Sequence, residues 1–250
     1  MEKFTAPKRK PPSKKEAAAI RKLKAQIPVF TTSPLDGLTK IDDLNNSHPA
    51  REYLLNRKLP TDGLYYTDEF QKWVNEVKPD TFPDITQDEP RIIIPLFYKK
   101  NLVGIQGRSL DFNNPKSVKY ITVMVNDDAP KIYGLDDIKL DGPVYVTEGP
   151  FDSTFIRNAI AMCGADADVS KWGISNPVWI YDNEPRNREI VNRIERTIST
   201  GDSVVIWPSN ILEKDINDMV MSGLDVQSVI ESNTHSGLEA KLKFNTWKKI

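Results

Sequence analysis

Apolar positions in the first third of the chain recur at helical spacing. The stretch from Ser47 to Lys58 opens with an N-cap residue and has Pro49 in its first turn, which predicts a short amphipathic helix. From 68 to 77 the large apolar side chains lie three or four positions apart, which predicts a second helix. The chain up to this point is therefore expected to be mostly α-helical.

The pattern changes at Arg91 to the β-branched and aromatic composition of strands. Residues 91–98 predict a strand, 102–108 its hairpin return and 119–125 a third strand. Strands then alternate with helices: strands at 143–147, 177–181 and 203–207, and helices at about 151–160, 187–199 and 215–222. This alternation predicts an α/β fold with a parallel sheet flanked by helices, preceded by a smaller mixed α+β module.

Acidic residues follow each of the three strands of the predicted parallel sheet. The clusters are Glu148 with Asp152, Asp182 with Glu184, and Asp215 with Asp218, the last preceded by Lys214. One such cluster is common as a helix cap, but ligands of parallel sheets bind outside the carboxyl ends of the strands. Carboxylates one residue apart repel each other unless a cation neutralises them, and Mg²⁺ prefers such oxygen ligands. The three clusters together predict a divalent-cation site.

The net charge of −1 is unevenly distributed along the chain. Residues 1–25 carry nine Lys and Arg against two Glu, so the remainder of the chain is acidic. We expect residues 1–13 to be disordered and 14–25 to form a short basic helix, because the segment has little apolar surface to bury. Such an arm either attracts nucleic-acid phosphates or only keeps the protein soluble.

The content of cysteine and histidine limits the metal chemistry. A single cysteine and two histidines cannot complete a Cys/His zinc site, so no zinc is expected on this chain. The sequence has no apolar run near the roughly 18 residues of a membrane span and no secretory h-region at its start. We therefore expect a soluble cytoplasmic protein without a membrane partner.

The ordered acidic motifs resemble a known family. The segments Val-Tyr-Val-Thr-Glu148-Gly-Pro-Phe-Asp152, Trp-Ile-Tyr-Asp182-Asn-Glu184 and Lys214-Asp215-Ile-Asn-Asp218 are similar to the Toprim domain of DnaG-type and tailed-phage primases, topoisomerases and some nucleases. Glu184 stands where that signature usually has Asp. The resemblance implies catalytic roles for Glu148, Asp182 and Glu184, with Asp215 and Asp218 as further ligands of Mg²⁺ or Mn²⁺.

The segment before these motifs resembles the basic subdomain of primases. The residues that the resemblance implies for nucleotide and nucleic-acid binding are Arg91, Arg108, Lys119, Tyr120, Lys131 and Lys214. The expected domains are a basic arm (1–25), an α+β basic subdomain (26–140), a Toprim catalytic domain (141–232) and a C-terminal tail for partner contact (233–250).

The resemblance implies a primase catalytic core, a nucleotidyltransferase that copies single-stranded DNA into short RNA primers from NTPs during replication. A replicative helicase is an expected partner, and the resemblance implies the cytoplasm of a bacterium or of a phage-infected host as the location. The zinc module that usually selects initiation sites is expected on a separate template-recognition protein, or it was lost, truncated or replaced by the basic arm.

Two alternatives remain open at this point. A Toprim nuclease would use the same carboxylates to cut phosphodiesters, and a non-catalytic replication adaptor would bind helicase or DNA through its ends. Whether Glu148 acts as a general base or only as a metal ligand is also open.

Overall fold

The first half of the described chain builds an antiparallel sheet. The computed structural model describes residues 33–85, 88–164 and 168–250. The strands of this sheet, in spatial order, are β1 (Thr39–Lys40), β2 (Tyr65–Thr67), β3 (Arg91–Tyr98), β4 (Asn101–Ser109) and β5 (Tyr120–Met124). The predicted hairpin is confirmed, since β3 and β4 pair from Arg91 opposite Ser109 to Tyr98 opposite Asn101. Strands β1 and β2 were not predicted.

Two helices pack against this sheet, and both were predicted. They are α1 (Pro49–Asn56) and α2 (Phe70–Val77). The N-cap of α1 is His48 rather than Ser47, with its Nδ1 accepting a hydrogen bond from the backbone N–H of Ala50 at 3.2 Å. On α2, Phe70 packs over Gly107, where a Cβ would lie 2.5 Å from the phenyl ring. The glycine therefore lets α2 approach the sheet closely.

The second half of the chain builds a mixed sheet. Its strands are β6 (Val144–Thr147), β7 (Ala159–Ala161), β8 (Pro177–Trp179), β9 (Ser203–Val205) and β10 (Thr234–His235), in the spatial order β10-β9-β8-β6-β7. Strands β6 to β9 pair in parallel, as the alternating pattern predicted. Strand β10, which was not predicted, pairs antiparallel with β9 and makes the sheet mixed.

Helices cover the second sheet. They are α3 (Pro150–Ser153), α4 (Arg188–Thr200), α5 (Ile216–Met221), α6 (Val226–Ser232) and α7 (Gly237–Trp247). The helix predicted at about 151–160 is wrong in length, because α3 ends at Ser153 and residues 159–161 form β7. Asn158 has a φ of 55°, which redirects the chain into that strand.

Residues 233–250 belong to the core of the second sheet rather than to a free tail. They form β10 and α7, whose Ala240, Phe244 and Trp247 are buried in the same cluster as Val204 and Val205. Both sheets lie in one compact unit from Gly37 to Ile250, and the proposed domain limits within it stay a prediction.

The expectations for the basic arm, with disorder over 1–13 and a helix over 14–25, lie outside the described residues. Within the described ranges, no helix combines the length and apolar character needed to cross a bilayer.

Candidate active site

A cavity of about 420 Å³ lies between the two sheets, where the carboxyl ends of β6 and β8 face β4 and β5. The sequence-predicted residues that line it are Glu148, Asp182, Asp215, Lys119, Tyr120, Lys131 and Lys214. The fold therefore brings the acidic strand ends of one sheet opposite basic residues of the other.

Glu148 is the carboxylate that follows β6. Burial first, and then the nearby charge of Asp182, raise the pKa of Glu148 to about 7. Its Oε1 atom is buried without a hydrogen-bond partner, and Nη1 of Arg193 lies 3.6 Å from it. The distance is too long for a hydrogen bond, so within the described residues this oxygen has an ion-pair contact with Arg193 but accepts no hydrogen bond.

Asp182 follows β8 and is paired loosely with a lysine. Burial and then the charge of Asp215 raise the pKa of Asp182 to about 6. Lys214 Nζ lies 3.9 Å from Asp182 Oδ2 and 3.4 Å from Glu184 Oε1, so it partly neutralises both carboxylates. Glu184 is not part of the cavity lining, and its Oε2 accepts a hydrogen bond from Asn187 Nδ2 at 3.1 Å.

Asp152 is a site residue that the predicted set omitted. It lines the cavity, and burial followed by the charges of Asp215 and Asp182 raises the pKa of Asp152 to about 7. Its Oδ1 accepts a hydrogen bond from the backbone N–H of Asn217 at 3.3 Å. The sequence signal was present, since Asp152 belongs to the first acidic motif, but a helix cap explained it equally well.

The third acidic motif divides between two positions. Asp215 lines the cavity and caps α5, accepting a hydrogen bond from the backbone N–H of Asp218 at 2.8 Å. Asp218 itself is exposed on α5 and does not line the cavity, and its role as a metal ligand stays a prediction. The buried face of α5 consists of Ile216, Asn217 and Met219, and Asp218 lies outside it.

The cavity carboxylates are desolvated and repel one another, and a bound cation would reduce both costs. Glu148, Asp152 and Asp182 all have raised pKa values, because each is desolvated and close to other acids. As placed in the described residues, no three acidic, histidine or cysteine side chains converge on a single ion position. Lys214 and Arg193 occupy the space next to the acids instead. The hard oxygen donors suit a divalent cation, and Oε1 of Glu148 accepts no hydrogen bond that a cation would have to replace.

The opposite wall of the cavity is basic. Lys119, Tyr120 and Lys131 reach it from β5 and the adjoining loops, and Arg57 reaches it from the end of α1. Burial and then the charges of Arg108 and Arg57 lower the pKa of Lys119, so these cations are close to one another. Burial raises the pKa of Tyr120 to about 12, which keeps its hydroxyl protonated as a donor.

The structure does not bring Arg91 and Arg108 to the cavity surface. Arg91 is fully buried, donates to the backbone carbonyls of Gly107 (2.7 Å) and Val118 (2.8 Å), and forms an ion pair with Glu89. Arg108 is 5% exposed and lies between aromatic rings. Strands β3, which carries Arg91, and β4, which carries Arg108, each have a neighbouring strand on both sides, and both arginines are buried rather than part of the cavity lining.

Arg57 is positioned by a contact that sequence reasoning missed. Its Nε donates to Oδ1 of buried Asn217, and Asn217 Nδ2 donates back to the Arg57 carbonyl at 2.7 Å. The guanidinium also donates to the Tyr53 hydroxyl at 3.0 Å. The partners α1 and α5 are far apart in sequence, so no local pattern signals the pair.

Asn183, which lies directly after Asp182 at the end of β8, connects this end of the sheet with the last helix. Its side-chain amide donates to the carbonyls of Ile211 (3.0 Å) and Glu213 (3.1 Å), and its backbone N–H donates to the carbonyl of Lys214 at 2.7 Å. Trp247 of α7 donates from Nε1 to Oδ1 of Asn183 at 3.0 Å. This one residue therefore fixes the loop that carries Lys214 against the end of β8.

Comparison with known proteins relates the sequence and the fold of this chain to primases. No model of a protein family matches the chain. The chain is 35% identical over 226 residues to the DNA primase of Enterobacteria phage T4, an alignment that covers 86% of this chain and 65% of the relative. The chain thus spans slightly less than two thirds of that relative.

Solved structures match the fold. The RNA polymerase domain of Mycobacterium tuberculosis primase DnaG has a TM-score of 0.59 at 14% identity, covering 88% of this chain and 84% of that chain. The E. coli primase catalytic core has a TM-score of 0.52 at 18% identity, covering 79% of this chain and 76% of that chain. The chain is thus a sequence relative of the phage T4 DNA primase that has the fold of DnaG-type primase catalytic cores.

Proposed function

We propose that this chain is a primase catalytic core that synthesises short RNA primers on single-stranded DNA from NTPs, as a metal-dependent nucleotidyltransferase in DNA replication. The single observation that carries the proposal is the cavity in which the carboxylates after β6 and β8 face the basic residues of β5. The sequence similarity of the chain to the phage T4 DNA primase supports the same activity.

The residues that we propose to hold Mg²⁺ or Mn²⁺ are Glu148, Asp152, Asp182 and Asp215, with Glu184 next to them. When bound, the cation would stabilise negative charge on the triphosphate as the 3′-hydroxyl attacks the α-phosphorus. The raised pKa values of Glu148 and Asp182 support this assignment, because desolvated neighbouring acids ionise fully only beside a positive charge.

The remaining groups of the cavity bind and orient the substrates. Lys119, Lys131 and Arg57 supply positive charge for triphosphate or primer phosphates, and the protonated Tyr120 hydroxyl supplies a donor. The Oε1 atom of Glu148, which accepts no hydrogen bond, is available to the cation or to the proton of the 3′-hydroxyl. We assign Arg91 and Arg108 a supporting role below this surface, because neither side chain reaches the cavity.

Single-stranded DNA is the proposed template. One fold relative, a DnaG primase catalytic domain, was solved bound to single-stranded DNA, which supports this class of ligand. A replicative helicase and a separate zinc-binding template-recognition protein stay proposals for partners. If site selection resides in such a partner, this chain alone will prime weakly and with little sequence preference, and the partner will restore both.

The test is primer synthesis by the double variant Asp182→Asn, Glu184→Gln on single-stranded DNA with labelled NTPs and Mg²⁺. The matched control is Asp141→Asn, Glu195→Gln, which removes the same charge at two exposed positions. We expect the first variant to fold and to lose synthesis, and the control to retain it. Near-normal synthesis by the first variant would remove the metal assignment, and cutting of the DNA without NTP incorporation would instead support a Toprim nuclease.

A further inference from the structure

Three aromatic rings surround one buried arginine beside the active-site cavity. The guanidinium carbon of Arg108 lies 5.2 Å from the ring centroid of Tyr53, 5.6 Å from that of Phe112 and 4.9 Å from that of Tyr120. We call these four residues the aromatic cage. Tyr120 also lines the cavity and lies 6.4 Å from the ring of Phe151, another cavity residue. The cage therefore extends the cavity wall outwards.

Phe112 is the outer ring of the cage, and it is 60% exposed. One face of the ring stacks on Tyr53, with centroids 5.3 Å apart and planes 26° apart. More than half of the residue's surface is open to solvent. A single exposed phenylalanine is unremarkable on a protein surface. An exposed ring that is already stacked on an aromatic partner is different, because it has little conformational freedom left to lose when a ligand binds.

The loop that carries Phe112 is held at both ends. It joins β4 to β5, and the hydroxyls of Ser109 and Ser117 are hydrogen-bonded at 2.7 Å across its base. Buried Arg91 donates to the carbonyl of Val118 at 2.8 Å on the same side. The position of Phe112 is therefore set before any ligand arrives.

The cage and its surroundings carry three cations, of which Arg57 and Lys119 also interact electrostatically with Asp215 of the cavity. Arg108 is only 5% exposed, and its Nη1 atom is buried without a hydrogen-bond partner. In the ranges that the structure describes, no carboxylate forms an ion pair with Arg57, Arg108 or Lys119. Arg57 lies 5.5 Å from the Tyr53 ring and Lys119 lies 5.7 Å from the Tyr120 ring. A ligand here should be anionic and should also offer a flat π-face.

We propose that the exposed face of Phe112 is a stacking site for one unpaired base of the single-stranded template, with the adjoining phosphates placed towards Arg57 and Lys119. The inference rests on the proposed function and adds to it a residue and an interaction. Single-stranded nucleic acids combine exactly the two required properties, since each base has a π-face and each linkage is anionic. Phe112 binds the template and takes no part in the chemistry.

The first test measures binding of a short labelled single-stranded oligonucleotide by fluorescence anisotropy. Phe112→Ala should weaken binding by roughly 5- to 100-fold, the usual range for one base stacked on an aromatic side chain. Phe112→Tyr should bind within about threefold of the unmodified protein, because it keeps the ring. The matched control is Phe97→Ala, at a second exposed phenylalanine of the same sheet, and it should have no effect. Equal binding by Phe112→Ala and Phe97→Ala would overturn the proposal.

Two further readouts separate stacking from a structural or ionic effect. The slope of log affinity against log salt should be the same for Phe112→Ala and the unmodified protein, because no phosphate contact is lost. In oligonucleotides with one abasic site moved along the strand, one position should weaken binding by the unmodified protein and have no effect on Phe112→Ala. A changed salt slope, or equal abasic effects on both proteins at every position, would refute the assignment.

Primer synthesis distinguishes failure of this inference from failure of the proposed function. Phe112→Ala should raise the template KM and leave kcat at saturating template unchanged, whereas Asp182→Asn with Glu184→Gln should abolish kcat. Absence of synthesis by the unmodified protein would contradict the proposed function alone. Normal synthesis with an unchanged template KM in Phe112→Ala would contradict the stacking site alone.

Discussion

Replacing Asp182 with asparagine should stabilise the metal-free protein at neutral pH, although it removes a residue of the proposed metal site. The folded state raises the pKa of Asp182 from 3.8 to about 6, so it holds the proton more tightly than the unfolded chain does. The stability that this carboxyl contributes is therefore complete below its ordinary pKa and is lost as the pH rises through about 6. Asparagine has no such penalty at higher pH.

The size of the effect follows from the pKa shift. A shift of about two units corresponds to a ceiling of about 3 kcal/mol, at about 1.4 kcal/mol per unit. The Asp182 side chain is 29% exposed and has Lys214 nearby, so solvent screening reduces the expected gain to about 1–2 kcal/mol. For a chain of this length, that gain corresponds to a rise in Tm of about 2–8 °C.

The assay is thermal unfolding of the unmodified protein and of Asp182→Asn, each with a chelator and with Mg²⁺, across the pH range from mildly acidic to mildly alkaline. With chelator, the variant should melt higher at alkaline pH, and the difference should shrink on acidification. With Mg²⁺ at ten times its Kd, the unmodified protein should gain about 1.4 kcal/mol, and the variant should gain less. Asp141→Asn, at an exposed position, is the control and should change neither result.

Three outcomes would refute this reasoning. The first is that the variant melts at a lower temperature than the unmodified protein in chelator. The second is that the difference in Tm does not depend on pH. The third is that Mg²⁺ stabilises both proteins equally. The first two would mean that Asp182 is not held in a repulsive, desolvated cluster, and the third would mean that it is not a metal ligand.

Two further predictions concern stability and the basic arm. Asn217→Ala should lower the free energy of unfolding in urea by about 1–3 kcal/mol, because it leaves groups of Arg57 unpaired, whereas Asn192→Ala on the exposed side of α4 should have little effect. Equal stability of the two variants would contradict the proposed role of the pair. Deleting residues 1–13 removes four basic residues and Glu2, and it should flatten the salt dependence of single-stranded DNA binding by roughly 0.7 per lost phosphate contact. An unchanged slope would show that the arm does not touch phosphates.

The acidic wall of the site was predictable because it depends on strand ends. Parallel strands have their carboxyl ends at one edge, so the acids after β6 and β8 had to meet there once the alternating pattern was read. The reading failed where a local pattern had two explanations. Residues 151–160 have apolar side chains at helical spacing, yet tertiary pairing with β6 makes 159–161 a strand.

The basic wall was only half predictable, because burial depends on what packs on each face of a strand. Lys119 and Lys131 reach the cavity, but Arg108, on the interior strand β4, lies against rings from α1 and from the loop after β4. Arg57 was missed for the same reason, since its partner Asn217 lies on α5 in the other half of the chain. Contacts between distant segments leave no periodic signal in the sequence.

The amide of Asn183 makes the last helix a mechanical support of the active site. Trp247 of α7 and the backbone of the loop ending at Lys214 share this one side chain through three hydrogen bonds. Movement of α7 away from the sheet would break the hydrogen bond from Trp247 to Asn183, and the side chain that holds the loop at Ile211 and Glu213 would lose that support. A change in the position of α7 would therefore reach Lys214, beside Asp182, through the side chain of Asn183.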